Sequence, residues 1–398
     1  MAMPQRTTLS PTRTTRRTFY DRDVQAVFWQ VVVVGLVVGV GWFLVHNTLV
    51  NLESRNIQTG YHFLWRESGF DISEFMIPYS AASTYARALV VGLLNTLRVA
   101  IIGVALATVL GIFVGIGTLS QNWLLARITM GYIHLLRNIP VLLQIILWYT
   151  ILINDRFLPN PRQAEPLLGT YLTQRGLYFP LPEGHVAWLV AAGAFVAALV
   201  LAWLLDRWTT ARQLRTGRRL PVFWLSLILI IALPGLAWFL LGAPTEMSMP
   251  ELRGFNLAGG GHVSPEFVAV LFGLTIYTSA FIGEIVRSGI LSVSKGQVEA
   301  ARALGLKEGM ILRNVTLPQA LRVIIPPLTS QYLNLTKNSS LSVAVGYPDL
   351  VSVAGTAMNQ TGQAIEGVSI IMIVYLTLSL STAALMNWYN KRRQLVER

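Results

Sequence analysis

Three stretches of this chain carry no charge for as long as a bilayer is thick. Residues 26–45 run 20 positions without an Asp, Glu, Lys or Arg, residues 186–205 another 20, and residues 368–386 a further 19. A hydrocarbon core takes about 20 apolar residues as helix, and only helices or closed barrels satisfy their backbone there. The runs are continuous rather than alternating, so helices are expected. Composition agrees. With 53% apolar residues, 13% charged residues and a mean hydropathy of +0.54, the 398-residue chain is too apolar for an ordinary soluble domain. The fold class expected is an all-α polytopic membrane protein.

The pattern gives about eight spans, near 26–46, 88–118, 131–153, 186–206, 220–242, 266–288, 325–346 and 367–388. Lys and Arg set the orientation. With the N-terminus inside, 22 of the 31 basic residues fall on inner segments and seven on outer ones. Arg6, Arg13, Arg16, Arg17 and Arg22 make a basic tail, and Lys391, Arg392, Arg393 and Arg398 a second one. The seven outer residues are Arg55, Arg66, Arg87, Arg156, Arg162, Arg175 and Arg253, while Arg98 and Lys337 lie within spans. Both termini are thus expected in the cytoplasm. The net charge of +12 then holds topology and faces anionic lipid; no nucleic acid is needed to explain it.

The basic start, the long first apolar run and the lack of a small-x-small cleavage pattern predict a retained helix rather than a cleaved signal. With no cysteine, disulfides, thiol nucleophiles and thiolate metal sites are excluded. His46, His62, His134, His185 and His262 show no metal-ligand spacing, so no metal site is expected. Neither a paired-acid nor a nucleophile-base constellation is present, and Gly-x-x-x-x-Gly-Lys-Ser/Thr is absent. The chain is not expected to be an enzyme or to bind ATP in the usual way. The outer loops 47–87, 154–185 and 242–265 are rich in Pro, Gly and aromatics, and residues 158–162 and 179–182 should be turns or extended chain. These loops are either mobile connectors or a docking surface.

Between the sixth and seventh spans lies E-A-A-R-A-L-G-L-K-E-G-M-I-L-R-N-V-T-L-P, residues 299–318. Ser294 with Gln297 has the spacing of a capping box, residues 297–304 favour helix, and Gly305 suits a left-handed helix end. A second helix should start near Lys307 and run to a boundary or kink at Pro318. Val298, Ala301 and Arg302 share a face by spacing; alanine permits close approach of another surface, and Glu299 offers it a charge. Read alone, this is either a connecting loop or a handle.

The motif resembles the cytoplasmic loop of binding-protein-dependent ABC importer permeases: E-A-A, three residues, Gly, nine residues, Ile, any residue, Leu-Pro. Glu299, Ala300, Ala301, Gly305, Leu317 and Pro318 match, with Val315 replacing Ile. Residues 92–98 (G-L-L-N-T-L-R), 137–144 (R-N-I-P-V-L-L-Q), 284–289, 295–297 and 337–341 (K-N-S-S-L) are similar to segments of the polar amino-acid class. Asn138, Ile139 and Asn338 depart from it. The resemblance implies a five-helix core (type I, MetI-like) within residues 88–388, built from spans two, three, six, seven and eight. An added first helix and an inserted helix pair, with loops over 154–265, look like the longer general L-amino-acid (glutamate/glutamine/aspartate/asparagine-type) systems.

The resemblance also implies domains and partners. A tail (1–25), a first helix with its periplasmic loop (26–87), the permease domain with a coupling loop (292–325) and a C-terminal tail (389–398) are the expected divisions. Expected partners are an ABC ATPase dimer that uses ATP and Mg, a second permease subunit (related or identical), a periplasmic amino-acid-binding protein and membrane lipid. This chain itself holds no cofactor. The expected location is the bacterial inner membrane.

For the amino-acid path the polar positions inside spans are the candidates: Asn95, Thr96, Arg98, Gln144, Asn334, Lys337 and Asn338. Helix-to-helix hydrogen bonding is their alternative role. Glu284 and Arg287, three apart, are expected to pair, and Arg137 to anchor at the inner interface. Pro140, Pro234 and Pro326-Pro327 are expected to kink helices. A secondary transporter acting without an ATPase is the alternative, although the inverted repeats and mid-membrane acids it would need are not evident. A membrane-embedded enzyme is a third reading, with little chemistry to offer.

Overall fold

The computed structural model describes residues 22–54, 60–217 and 221–393. The tail through residue 21, the last five residues, and Arg55, Arg218 and Arg219 lie outside the described residues. Among the described residues six helices are long and apolar enough to cross a bilayer, and two bent pairs bring the count to as many as eight.

Helix α1 (Arg22–Ser54) is exposed along its described apolar length. It outruns the sequence boundary by several residues, because nothing between 46 and 54 breaks a helix. The bundle is centred on α2 (Tyr85–Gly117) and α7 (Pro265–Leu291). Both start at a side-chain cap: Thr84 Oγ1 accepts from the Arg87 N–H at 3.3 Å, and Ser264 Oγ from the Phe267 N–H at 3.1 Å. Gly103, Ala107, Gly111 and Gly115 recur every fourth residue along α2 and are buried. A Cβ at Gly115 would lie 2.7 Å from the Gly283 carbonyl oxygen, and one at Gly111 2.6 Å from Ile282 Cβ. The backbones touch there. In lipid, where apolar burial gives little drive, such close packing is what holds helices together.

The third predicted span is broken. Helices α3 (Trp123–Asn138) and α4 (Val141–Leu152) meet at 104°. Pro140 therefore ends one helix and starts the next rather than kinking one, since residue 139 is forced into extended backbone (φ −97°, ψ 125°). Gln144 braces the corner, its Nε2 donating to the Leu136 and Ile139 carbonyls at 3.0 Å each. Helices α5 (Val186–Thr216) and α6 (Val222–Leu240) form a hairpin, with Pro234 inside a continuous α6.

The loops at the far end of this hairpin are folded, not mere connectors. Three short strands, β1 (Tyr171–Thr173), β2 (Gly176–Phe179) and β3 (Leu181–Pro182), precede it, and four follow: β4 (Met247–Ser248), β5 (Glu251–Arg253), β6 (Asn256–Ala258) and β7 (Gly261–Val263). β2 pairs with both β1 and β7, and β3 with β4, so the two loops lock into one antiparallel cap.

Beyond the 299–318 loop, α10 (Leu317–Asn338) runs unbroken through Pro326 and Pro327. A 3-10 turn (Ser339–Val345) follows, then a break at Gly346 (φ +79°), and α11 (Leu350–Thr361) leaves at 54°. The sequence reading missed α11 as a separate helix. Last comes α12 (Ala364–Arg393).

Candidate functional site

The 299–318 loop forms a compact elbow. Helix α8 (Lys295–Ala303) ends at Gly305, whose φ is +73°. The Gly305 N–H donates to the Arg302 carbonyl at 2.9 Å and the Leu306 N–H to the Ala301 carbonyl at 3.2 Å, the paired closure of a Schellman turn. Helix α9 (Glu308–Ile311) then starts after Lys307, as expected. Across the turn the Arg302 Nε donates to Glu308 Oε1 at 2.7 Å and its Nη2 to Oε2 at 3.3 Å. This two-point contact holds the Glu308 carboxyl below the usual carboxylate range.

Two details differ from expectation. Ser294 starts α8 but its side chain makes no capping bond. Gln297, the other half of the expected box, instead accepts from Gln319 Nε2 at 2.8 Å, which ties the loop to the base of α10. Pro318 marks a boundary, as one of its two expected roles, but a helix start rather than an end: it sits in the first turn of α10. Having no N–H for the carbonyl one turn back, it follows a wide-wound π segment, Leu312–Thr316.

The faces of α8 are also reassigned. Ala301 is 5% exposed and Val298 half-buried, so that face turns into the elbow. Glu299, Ala300, Arg302 and Leu304 are exposed, Leu304 at 81%. With Met310, Leu312 and Leu317 also exposed, the knob shows a mixed apolar and charged surface. Neither Leu304 nor Met310 was singled out from the sequence; for Leu304 the available signal was an apolar residue beside the helix-ending Gly305, and Met310, inside α9, had none of that kind.

The polar residues inside the bundle fall into two groups. Asn95 and Thr96 are fully buried at the break before α11. Asn95 Nδ2 donates to the Glu74 and Pro348 carbonyls at 2.8 and 2.9 Å. The Leu350 N–H donates to Thr96 Oγ1 at 3.1 Å. With Gln144 at the α3–α4 corner, these buried side chains tie the fold together. Asn334 and Lys337, by contrast, are exposed on one face of α10 and make no side-chain hydrogen bond among the described residues; Asn338, half-buried, adjoins them.

Arg98 belongs to neither group. Its Nη1 is 3.0 Å from Glu74 Oε2, and its guanidinium lies 4.0 Å from the Phe267 ring centroid. Glu74 comes from the segment between α1 and α2, one of the outer loops expected to be either a mobile connector or a docking surface. Near the other end, Glu284 and Arg287 pair as expected, at 2.7 and 3.1 Å, and Arg137 rests over Phe281 at 5.0 Å. No group of three or more metal-ligating side chains occurs among the described residues.

Residues 191–395 match the family described as the binding-protein-dependent transport system inner membrane component. The chain is 47% identical over 384 residues to the general L-amino acid transport system permease protein AapQ of Rhizobium johnstonii, covering 96% of each chain. It is 48% identical to the putative amino-acid ABC transporter permease protein YhdX of Escherichia coli, covering 96% of this chain and 97% of that one. It is 40% identical to the glutamate/glutamine/aspartate/asparagine transport system permease protein BztB of Rhodobacter capsulatus, covering 95% and 96%. The chain belongs to the family of binding-protein-dependent transport system inner membrane components.

Proposed function

We propose that this chain is the membrane-translocating subunit of an ATP-driven importer of polar L-amino acids. The observation that carries the reading is the elbow at Gly305: a compact, exposed knob at one end of a helix bundle, resembling the coupling motif of these permeases at Glu299, Ala300, Ala301, Gly305, Leu317 and Pro318. A folding role alone leaves its exposed Leu304 and Met310 unexplained. A separate ATPase dimer grips the knob, binds ATP and Mg, and supplies the differential free energy between two arrangements of the bundle. The α8–α10 tie through Gln297 and Gln319 carries that motion into α10.

The exposed face of α10 bearing Asn334 and Lys337 meets a second permease subunit or the path between the two. The β cap at the opposite end receives a periplasmic binding protein. On this reading the protein sits in the bacterial inner membrane with both termini in the cytoplasm. The amino-acid class rests on three relatives whose names state amino-acid transport, aligned across nearly the full length of this chain.

The test is uptake in proteoliposomes containing the chain with its permease and ATPase partners, Mg-ATP inside and binding protein outside. Radiolabelled glutamate, glutamine, aspartate and asparagine should accumulate only with ATP. Accumulation that survives inactivation of the ATPase would replace this reading with a secondary transporter.

A further inference from the structure

The Arg98–Glu74 pair lies at the end of the bundle remote from the elbow, where α7 begins, because Glu74 Oε1 also accepts the Ser264 N–H at 3.0 Å. Arg98 is about 20 Å along α2 from Tyr85, so the segment carrying Glu74 reaches well down beside the helix. Arg98 lies within a helix long and apolar enough to span a bilayer, and an ionisable side chain in such a helix is a functional candidate by default.

The pair is lopsided. Glu74 is 8% exposed and uses both oxygens, one on Arg98 and one on Ser264. Arg98 is 23% exposed and touches Glu74 through Nη1 alone; its Nε and Nη2 donate to no protein atom among the described residues. A guanidinium matches a carboxylate best through two parallel N–H donors, and stacking on Phe267 at 4.0 Å holds its plane while leaving its edge free. A pair built only to neutralise Arg98 would use that edge. This one leaves it open.

We propose that Glu74 is a resident carboxylate ligand of Arg98, holding the place taken by the carboxylate group of an amino acid during translocation. The inference rests on the importer reading above. The solute's carboxylate meets Arg98 at its open edge and then takes the Nη1 that Glu74 gives up; the Glu74 side chain turns away while its backbone carbonyl stays on Asn95 Nδ2, and the closed pair keeps the site shut when no solute is present. Solute binding then carries the burden of opening the latch: a latch closed about nine-tenths of the time weakens apparent affinity about tenfold.

The two partners are therefore predicted to act in opposite directions, which a purely structural ion pair does not do. Equilibrium binding of radiolabelled L-glutamate and L-glutamine is measured on the purified complex of permease and ATPase subunits without binding protein, alongside wild-type uptake. Glu74→Gln, nearly isosteric, should tighten binding on the order of tenfold. Arg98→Gln should weaken it about tenfold or more, and Arg98→Lys, which keeps charge but loses the planar fork, should fall between. Weakening by both Glu74→Gln and Arg98→Lys, or no change with Glu74→Gln, would overturn the proposal. Should wild-type binding lie below detection while uptake occurs, Glu74→Gln must bring it into range or the proposal fails. Absence of wild-type uptake of every amino acid tried would instead overturn the importer reading, and this inference with it.

Discussion

Gly305→Val isolates the elbow from the rest of the molecule. A Cβ built at Gly305 finds nothing within 4 Å, so the substitution makes no clash and its whole effect comes from backbone conformation at φ +73°. A left-handed residue with a side chain costs about 1–2 kcal/mol, and β-branching places valine at the upper end. Opposing this are the two bonds that close the turn, Gly305 to Arg302 and Leu306 to Ala301, each contributing about 0.5–1.5 kcal/mol net. The terms are comparable, so the turn loosens rather than vanishing. At about 1.4 kcal/mol per factor of ten, the closed-to-open ratio of the elbow falls roughly 5- to 30-fold, which leaves the closed form about half populated where the two terms balance.

The assay is ATP-driven uptake by the reconstituted complex, with yield and monodispersity of the purified chain as the control for insertion. Uptake should fall about twofold or more while yield is unchanged, because a side chain at residue 305 meets open space. Gly305→Asn is the internal standard, since asparagine tolerates the left-handed region; it should retain most activity. Equal, wild-type uptake in both variants would refute the reasoning. Equal loss in both would show that the partner reads the bare glycine surface and not the turn.

Three further outcomes are expected. Gly115→Ala places a methyl 2.7 Å from the Gly283 carbonyl oxygen, where backbone cannot yield; overpacking of about 1–3 kcal/mol should lower the unfolding midpoint in detergent, whereas Gly131→Ala, with open space around it, should change it by no more than its helix propensity. Gln144→Leu frees the Leu136 and Ile139 carbonyls, and about 1–3 kcal/mol of lost satisfaction should appear as faster amide exchange confined to the α3–α4 corner. The Arg302–Glu308 contact lowers the folded-state pKa of Glu308, so its contribution is complete above the unfolded value, about 4.3, and disappears as pH falls through the lower folded value. Spin-label mobility at Ala303→Cys should therefore be flat from pH 6 to 8 and rise only under acid below pH 4.

Much of the architecture was legible because lipid imposes a coarse rule: charge-free runs of about 20 residues must be helices. Those runs located α1, α5 and α12 directly. The elbow was legible through Gly305 and the motif spacing around it. What stayed hidden depended on contacts distant in sequence. Glu74 sits 24 positions before Arg98 in a segment with no periodicity, so nothing local announced it as a counter-ion. The polarity of Asn95 and Thr96 inside a span was plain, but not the backbone groups they bond, because polarity does not say which way a side chain faces. The four-residue repeat of Gly103, Ala107, Gly111 and Gly115 was readable as a packing seam, but its partner on α7 was not. Gln297 had the spacing of a capping box, and the tertiary partner Gln319 took it instead.

The central claim is that the knob at 299–305 is gripped by an ATPase. The chain contains no cysteine, so Ala300→Cys is its sole thiol, on an exposed face of α8, and accepts a benzophenone photo-crosslinker without a background from this subunit. On illumination of the assembled complex, the account predicts an adduct with the mass of this chain plus one ATPase subunit, in a yield that changes when ATP is added. Asp155→Cys, at the opposite end of the bundle, should give none. Failure of position 300 to capture the ATPase in a complex that transports, or equal capture from position 155, would contradict it.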